Sequence, residues 1–192
     1  MNLTQRSLYL LNNARFFTLA SRHADNIPWA STVNYVPLFE PLRLVWYSMR
    51  TARHSENIFY HAEVSGSLFC HDMRATSPPG LDGAQFTGSA REIPQCECEC
   101  IHQDYYRLNF PEARERARWQ LPLHEFYGDG ARRFYELRIN EWWLLDIDGW
   151  LQTKEDRRVP VPLAQLFVPK QDNESTLLIS SPSVFAGIWP TR

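Results

Sequence analysis

The chain has no run of about 18 apolar residues, so no segment reads as a membrane-spanning helix. Its first residues, Met1-Asn2-Leu3-Thr4-Gln5-Arg6, lack a basic stretch followed by an apolar core, which argues against a secretory signal. Cysteine is scarce and badly spaced for a disulfide framework. There are four, Cys70, Cys96, Cys98 and Cys100, and three of them fall within five positions. Reduced thiols and a cytoplasmic location are therefore expected. The formal net charge is −2 and no dense basic stripe occurs, so neither nucleic acid nor an anionic membrane surface is an expected partner. The glycine-rich phosphate loops and the Gly-x-Ser-x-Gly elbow are absent, and nothing arranges the Ser, His and Asp residues as a triad.

The 192 residues, 44% hydrophobic and 14% aromatic, are enough to bury one substantial core. A short helix runs to about Asn13, capped by Thr4 or Asn2. Residues 15–21 read as a strand, His23-Ala24-Asp25-Asn26 as a hairpin turn, and Trp29 to Val36 as the returning strand. Leu42 to Ser48 is a third strand, followed by a helix over 52–62. Val64 to His71 and Ala84 to Ile93 are further strands, separated by a loop from Arg74 to Gly83. Pro94 opens a helix over about 95–109, and Pro111 separates it from a second one near 112–119. Tyr135, Leu137 and Ile139 alternate along a last strand that continues to Leu145. Early hairpins with inserted helices predict an α+β chain built on a six-stranded antiparallel barrel. From Arg157 the composition changes, with prolines at 160, 162, 169, 182 and 190. The expected division is a domain over 1–156 and a Pro-rich extension over 157–192 that packs on the domain or on a partner.

One stretch carries chemistry. Tyr47-Ser48-Met49-Arg50-Thr51-Ala52-Arg53-His54-Ser55-Glu56-Asn57-Ile58 passes from a strand through hydroxyls and cations into a helix start. The first N–H groups of a helix lack internal partners, and its dipole favours negative charge there. Arg50 and Arg53 can grip a phosphate with paired bonds, and His54 adds a further donor. The plain alternative is a solvated helix start carrying surface cations.

Other groups carry less. In Cys96-Glu97-Cys98-Glu99-Cys100 a helix puts Cys96 and Cys100 on one face and Cys98 on another, and Cys-x-Cys is not a usual zinc spacing. No metal is expected. Asp146 and Asp148 beside Gly149 read as a strand-end turn. Trp29, Tyr35, Trp46, Trp142, Trp143 and Trp150 could wall a planar ligand, though for each of them ordinary packing is the simpler role.

Four pieces in order resemble the pyridoxamine-phosphate-oxidase-like, FMN-binding split barrels. They are Phe17-Thr18-Leu19-Ala20-Ser21 followed by Ser31-Thr32-Val33-Asn34-Tyr35-Val36; the Tyr47 to Ile58 element; Gly83-Ala84-Gln85-Phe86-Thr87-Gly88-Ser89-Ala90-Arg91-Glu92; and Tyr105-Tyr106-Arg107-Leu108-Asn109-Phe110-Pro111. The resemblance covers roughly 14–150 and is nearest to small bacterial members. It implies a homodimer with FMN in the interface, serving hydride or electron transfer. Ser48, Arg53 and His54 would meet the phosphate, and Asn34, Tyr35 and Gln85 would place the ring. Position 54 is usually Lys in this motif, and position 52, here Ala, is often Ser. The Arg-Leu-His-Asp-Arg segment of the vitamin-pathway oxidase is missing, so pyridoxamine phosphate oxidation is not expected. The alternative is a non-enzymatic binder of haem, deazaflavin or another planar ligand on the same barrel.

Overall fold

The computed structural model describes residues 1–70 and 82–166. Helix α1 (Leu3–Asn13) opens the chain. Asn2 caps it reciprocally: its side chain accepts from the Gln5 N–H at 2.8 Å, and the Gln5 side chain accepts from the Asn2 N–H at 3.1 Å. Strands β1 (Phe16–Arg22) and β2 (Pro28–Asn34) form the expected hairpin, then β3 (Val36–Phe39) and β4 (Leu42–Met49) form a second. Helix α2 (Arg53–Tyr60) leads to β5 (Glu63–Cys70) and, past the residues not described, to β6 (Asp82–Glu92). A 3₁₀ turn and α3 (Cys98–Asn109), then α4 (Ala113–Trp119), precede the long β7 (Arg132–Leu145). Helix α5 (Ile147–Thr153) and a short β8 (Arg158–Pro160) follow.

The strands make one antiparallel sheet in the order β2-β1-β5-β6-β7-β4-β3, with β8 added on β7. The architecture is α+β, and the six-stranded expectation is corrected to eight strands among the described residues. Two causes account for the difference. The strand read as Trp29 to Val36 breaks at Tyr35: pairing with β1 ends at Asn34, and from Val36 a new strand begins. The chain thereby leaves β1 and pairs with β4 instead. The second addition, β8, lies in the Pro-rich segment, and beyond it Val161 and Leu166 are buried in the main core. Residues 167–192 of the proposed extension and most of the loop read over 74–83 lie outside the described residues; Asp82 and Gly83 already belong to β6. Asp146 is not at a simple turn. Its carboxylate accepts from the Gly149 N–H at 3.0 Å and caps α5.

Two cores result from strand alternation. Leu42, Leu44 and Trp46 of β4 face the barrel interior with Phe17, Leu19, Phe86, Leu137 and Trp142. Val45 faces the exterior, where α3 covers the sheet with Ile101, Tyr105 and Tyr106 against Phe134. With both faces covered, β4 reads as a nearly continuous apolar run. Cys98 is buried in this second core, and burial raises its thiol pKa; Cys96 and Cys100 are exposed. The register between β6 and β7 shifts between Thr87 and Gly88. A Cβ on Gly88 would lie 2.0 Å from the Arg138 carbonyl oxygen, so the bulge needs glycine's lack of a side chain.

On the exterior of β7, Glu136 is fully buried and pairs with Arg43, Arg91 and Arg138. Burial alone would raise its carboxyl, but hydrogen bonds from Arg91 and Arg43 outweigh burial and hold the pKa below the ordinary 4.5. A depressed carboxyl pKa stabilises the fold above the unfolded value and loses that contribution as pH falls through the folded one. Urea melts between pH 7 and 3 are therefore expected to show stability falling below pH 4.5. That acid loss should shrink in Glu136→Gln, and an identical slope in the variant would assign the loss to other carboxylates.

Candidate functional site

The turn between β4 and α2 is built by local bonds. The Ala52 N–H donates to the Met49 carbonyl at 3.1 Å, and the Ser55 hydroxyl donates to the same carbonyl at 2.9 Å. Ala52 at the N-cap offers no side-chain acceptor. The N–H groups of Arg53 and His54 thus start α2 without a cap. Arg50 and Arg53 are exposed, and Ser48 is half-buried just before them on β4. Arg53 lays its guanidinium over the Trp29 ring, 4.6 Å from the centroid. The stack orients the cation and leaves its donor edge open.

His54 behaves differently from its neighbours. Its Nδ1 lies 3.1 Å from the Ser31 hydroxyl, which also accepts from the Trp29 indole N–H at 3.0 Å. Its Nε2 is buried with no hydrogen-bond partner. Burial lowers its pKa from the ordinary 6.5, so the ring is neutral at pH 7. His54 therefore adds no charge to the helix start; it ties α2 to β2. One turn on, Asn57 is fully buried and donates to the Ser21 hydroxyl at 2.9 Å, a second tie to the same hairpin.

The ring-placing candidates fall in three different places. Tyr35 is a core residue, 3% exposed, whose hydroxyl donates to the Leu11 carbonyl at 3.1 Å. Burial raises its pKa. The Asn34 side chain is engaged inside the protomer. It donates to the Arg15 carbonyl at 2.7 Å and accepts from the Tyr105 hydroxyl at 2.7 Å and the Asn109 amide at 2.8 Å. It is a joint between the approach to β1, β2 and α3, with both the amide oxygen and the amide nitrogen engaged. Gln85 is exposed on the exterior of β6, flanked by Ser67 and Trp143 in register. It lines an open groove of about 540 Å³ with Thr18, Ser65, Ser67, Trp143 and Arg158.

The structure thus links Arg53 and His54 through Trp29 and Ser31, leaves Ser48 and Arg50 just before them along the chain, and places Gln85 on the other face of the sheet. Two groups escaped the sequence reading as site residues. Ser31 occupies a core-parity position on β2, opposite Leu19, and a hydroxyl at such a position was the available signal. Arg158 reaches the groove from β8, a strand that the Pro-rich composition concealed.

This architecture is the split barrel of pyridoxamine-phosphate-oxidase-like proteins. A haem binding protein from Mycobacterium smegmatis matches at a TM-score of 0.62 and 14% identity, over 86% of this chain and 60% of that one. A FAD-binding protein from Mesorhizobium loti matches at 0.54 and 15% identity, over 74% of this chain and 92% of that one. A putative pyridoxamine 5'-phosphate oxidase from Listeria innocua matches at 0.52 and 16% identity, over 76% and 99%. The chain thus spans about three fifths of the haem protein's length. No family model and no curated protein matches the sequence. No helix among the described residues is long and apolar enough to cross a membrane.

Proposed function

We propose that the chain binds FMN as a homodimer, with the phosphate at the start of α2 and the ring against the exterior groove of a second copy. The observation that carries this is the uncapped start of α2 with Arg50 exposed beside it and Arg53 held edge-outward on Trp29. The placement of Gln85 on the opposite face of the sheet supports the dimer, because one protomer does not bring both halves to one ligand. Bound FMN would supply hydride or electron transfer. The chain's residues bind and orient: Arg50, Arg53 and the first N–H groups of α2 take the phosphate, while Gln85 and Trp143 flank the ring.

A fluorescence-quenching titration with FMN tests the reading, together with the visible spectrum and the mass in solution. Saturation at one FMN per chain in a dimer is expected. Arg53→Gln should weaken binding by about 10- to 100-fold, the worth of a hydrogen bond to a charged group. Unchanged affinity would remove Arg53 from the phosphate site. Haem or a deazaflavin is the second reading, favoured by the neutral His54, which withholds one cation from the phosphate. An intense Soret band with added haem and no quenching of FMN would select haem.

A further inference from the structure

Glu136 holds more cations than its own charge requires. Arg43 meets Oε2 through Nη1, while Arg91 and Arg138 both meet Oε1 through Nε, at 2.6 and 3.2 Å. Arg43, with a side chain 18% exposed, would by itself neutralise the buried carboxylate. Arg91 and Arg138 are 47% and 52% exposed, so about half of each side chain is turned to solvent. Because they share one oxygen, the two guanidiniums lie side by side, and the single negative charge of Glu136 is set against three positive ones. The four groups sum to +2, and Glu97 is the further acid that acts on Arg91. Ser89 sits opposite Arg138 and two residues before Arg91, adding a hydroxyl on the same face.

The positions come from three neighbouring strands. Arg43 on β4 pairs in register with Arg138 on β7, and Arg91 on β6 pairs with Glu136. A rigid sheet therefore sets the spacing of the guanidiniums, and the buried carboxylate fixes the rotamers of Arg91 and Arg138 before any ligand arrives. The cluster lies beyond the Thr87–Glu141 pair from Gln85 along the exterior face and includes none of the α2 residues.

We infer that Arg43, Arg91 and Arg138, organised by Glu136, form a second anion site that takes a dianionic tetrahedral oxyanion, a phosphate group. Three guanidiniums offer forked donors of the geometry that phosphate oxygens accept. The site stands independently of flavin binding.

Arginine Nε–Hε NMR signals test it on the full-length protein. The signals are assigned by their loss in Arg91→Gln and Arg138→Gln, then followed while inorganic phosphate is titrated at fixed ionic strength. Saturable shifts of both signals with one dissociation constant are expected. Arg138→Gln should weaken the response read at Arg91 by about tenfold, the loss of one charge-assisted contact. Arg53→Gln should leave both shifts intact, which separates this site from the one at α2. If ribose 5-phosphate saturates the signals at lower concentration than inorganic phosphate, the ligand is a phosphate ester; equal or weaker binding of the ester assigns the free ion. Linear shifts that chloride reproduces, or a response at Arg91 unaltered by Arg138→Gln, would overturn the inference.

Discussion

Replacing Asp82 by alanine is expected to destabilise the protein by about 3–5 kcal/mol, the range for breaking a buried ion pair from one side. Asp82 opens β6 and takes the Arg6 guanidinium of α1 through both oxygens, at 2.7 and 2.9 Å. The side chains are 7% and 1% exposed. Arg6 also donates to the Leu145 carbonyl at 3.1 Å, and Asp82 accepts from the Gly83 N–H at 2.8 Å. One pair thus joins α1, the start of β6 and the end of β7. Without the carboxylate, Arg6 remains buried and uncompensated. The companion measurement is the double variant Arg6→Met with Asp82→Leu, which removes both charges and should recover most of the loss. Urea midpoints of the two variants decide it. A single variant within about 1 kcal/mol of the parent would mean that water reaches Arg6 and that the pair behaves as a surface bridge.

Trp142→Ala is expected to be of the same order, about 3–5 kcal/mol, for loss of a large buried aromatic. The Trp142 ring is 1% exposed and stacks on Phe86 at 5.3 Å with the planes 6° apart. Phe86 in turn meets Phe17 edge-on at 5.8 Å, and Phe17 meets Trp46 at 5.7 Å, so the indole ends a chain of rings across the barrel interior. Its N–H donates to the Ser7 hydroxyl at 3.0 Å, and that hydroxyl donates to the Leu3 carbonyl at 2.9 Å. Trp142→Phe should therefore be much milder. It keeps an aromatic face on Phe86, and Ser7 retains its own acceptor. Equal melting midpoints for the two variants would show that the indole hydrogen bond, not ring packing, carries the stabilisation.

Local signals made much of the fold readable in the sequence. The hairpin turn at 23–26 bounded β1, alternation marked the first half of β7, the strand-like run from Leu42 marked β4, and Pro94 marked the approach to α3. The α2 start was readable for the same reason, since its cations and hydroxyls lie within seven consecutive residues. What stayed hidden depended on partners distant in sequence. Asn34 is occupied by Tyr105 and Asn109, and His54 bonds to Ser31 of β2 and has its pKa lowered by burial. Glu136 draws its arginines from positions 43, 91 and 138. Periodicity on one strand cannot report a cluster assembled across three. The break at Tyr35 was hidden in another way: side-chain alternation runs on through Val36 while the backbone changes partner from β1 to β4.

The place of β7 in the sheet bears on how the chain is made. It pairs with β6 on one side and β4 on the other, and it carries Tyr135, Leu137, Ile139, Trp142 and Leu144 into the interior core. During synthesis, β4 and β6 leave the ribosome before this strand exists, each with an open hydrogen-bonding edge. The nascent polypeptide must keep those edges apart from other chains until Leu145 has emerged. The helices α3 and α4, inserted between β6 and β7, lengthen that wait.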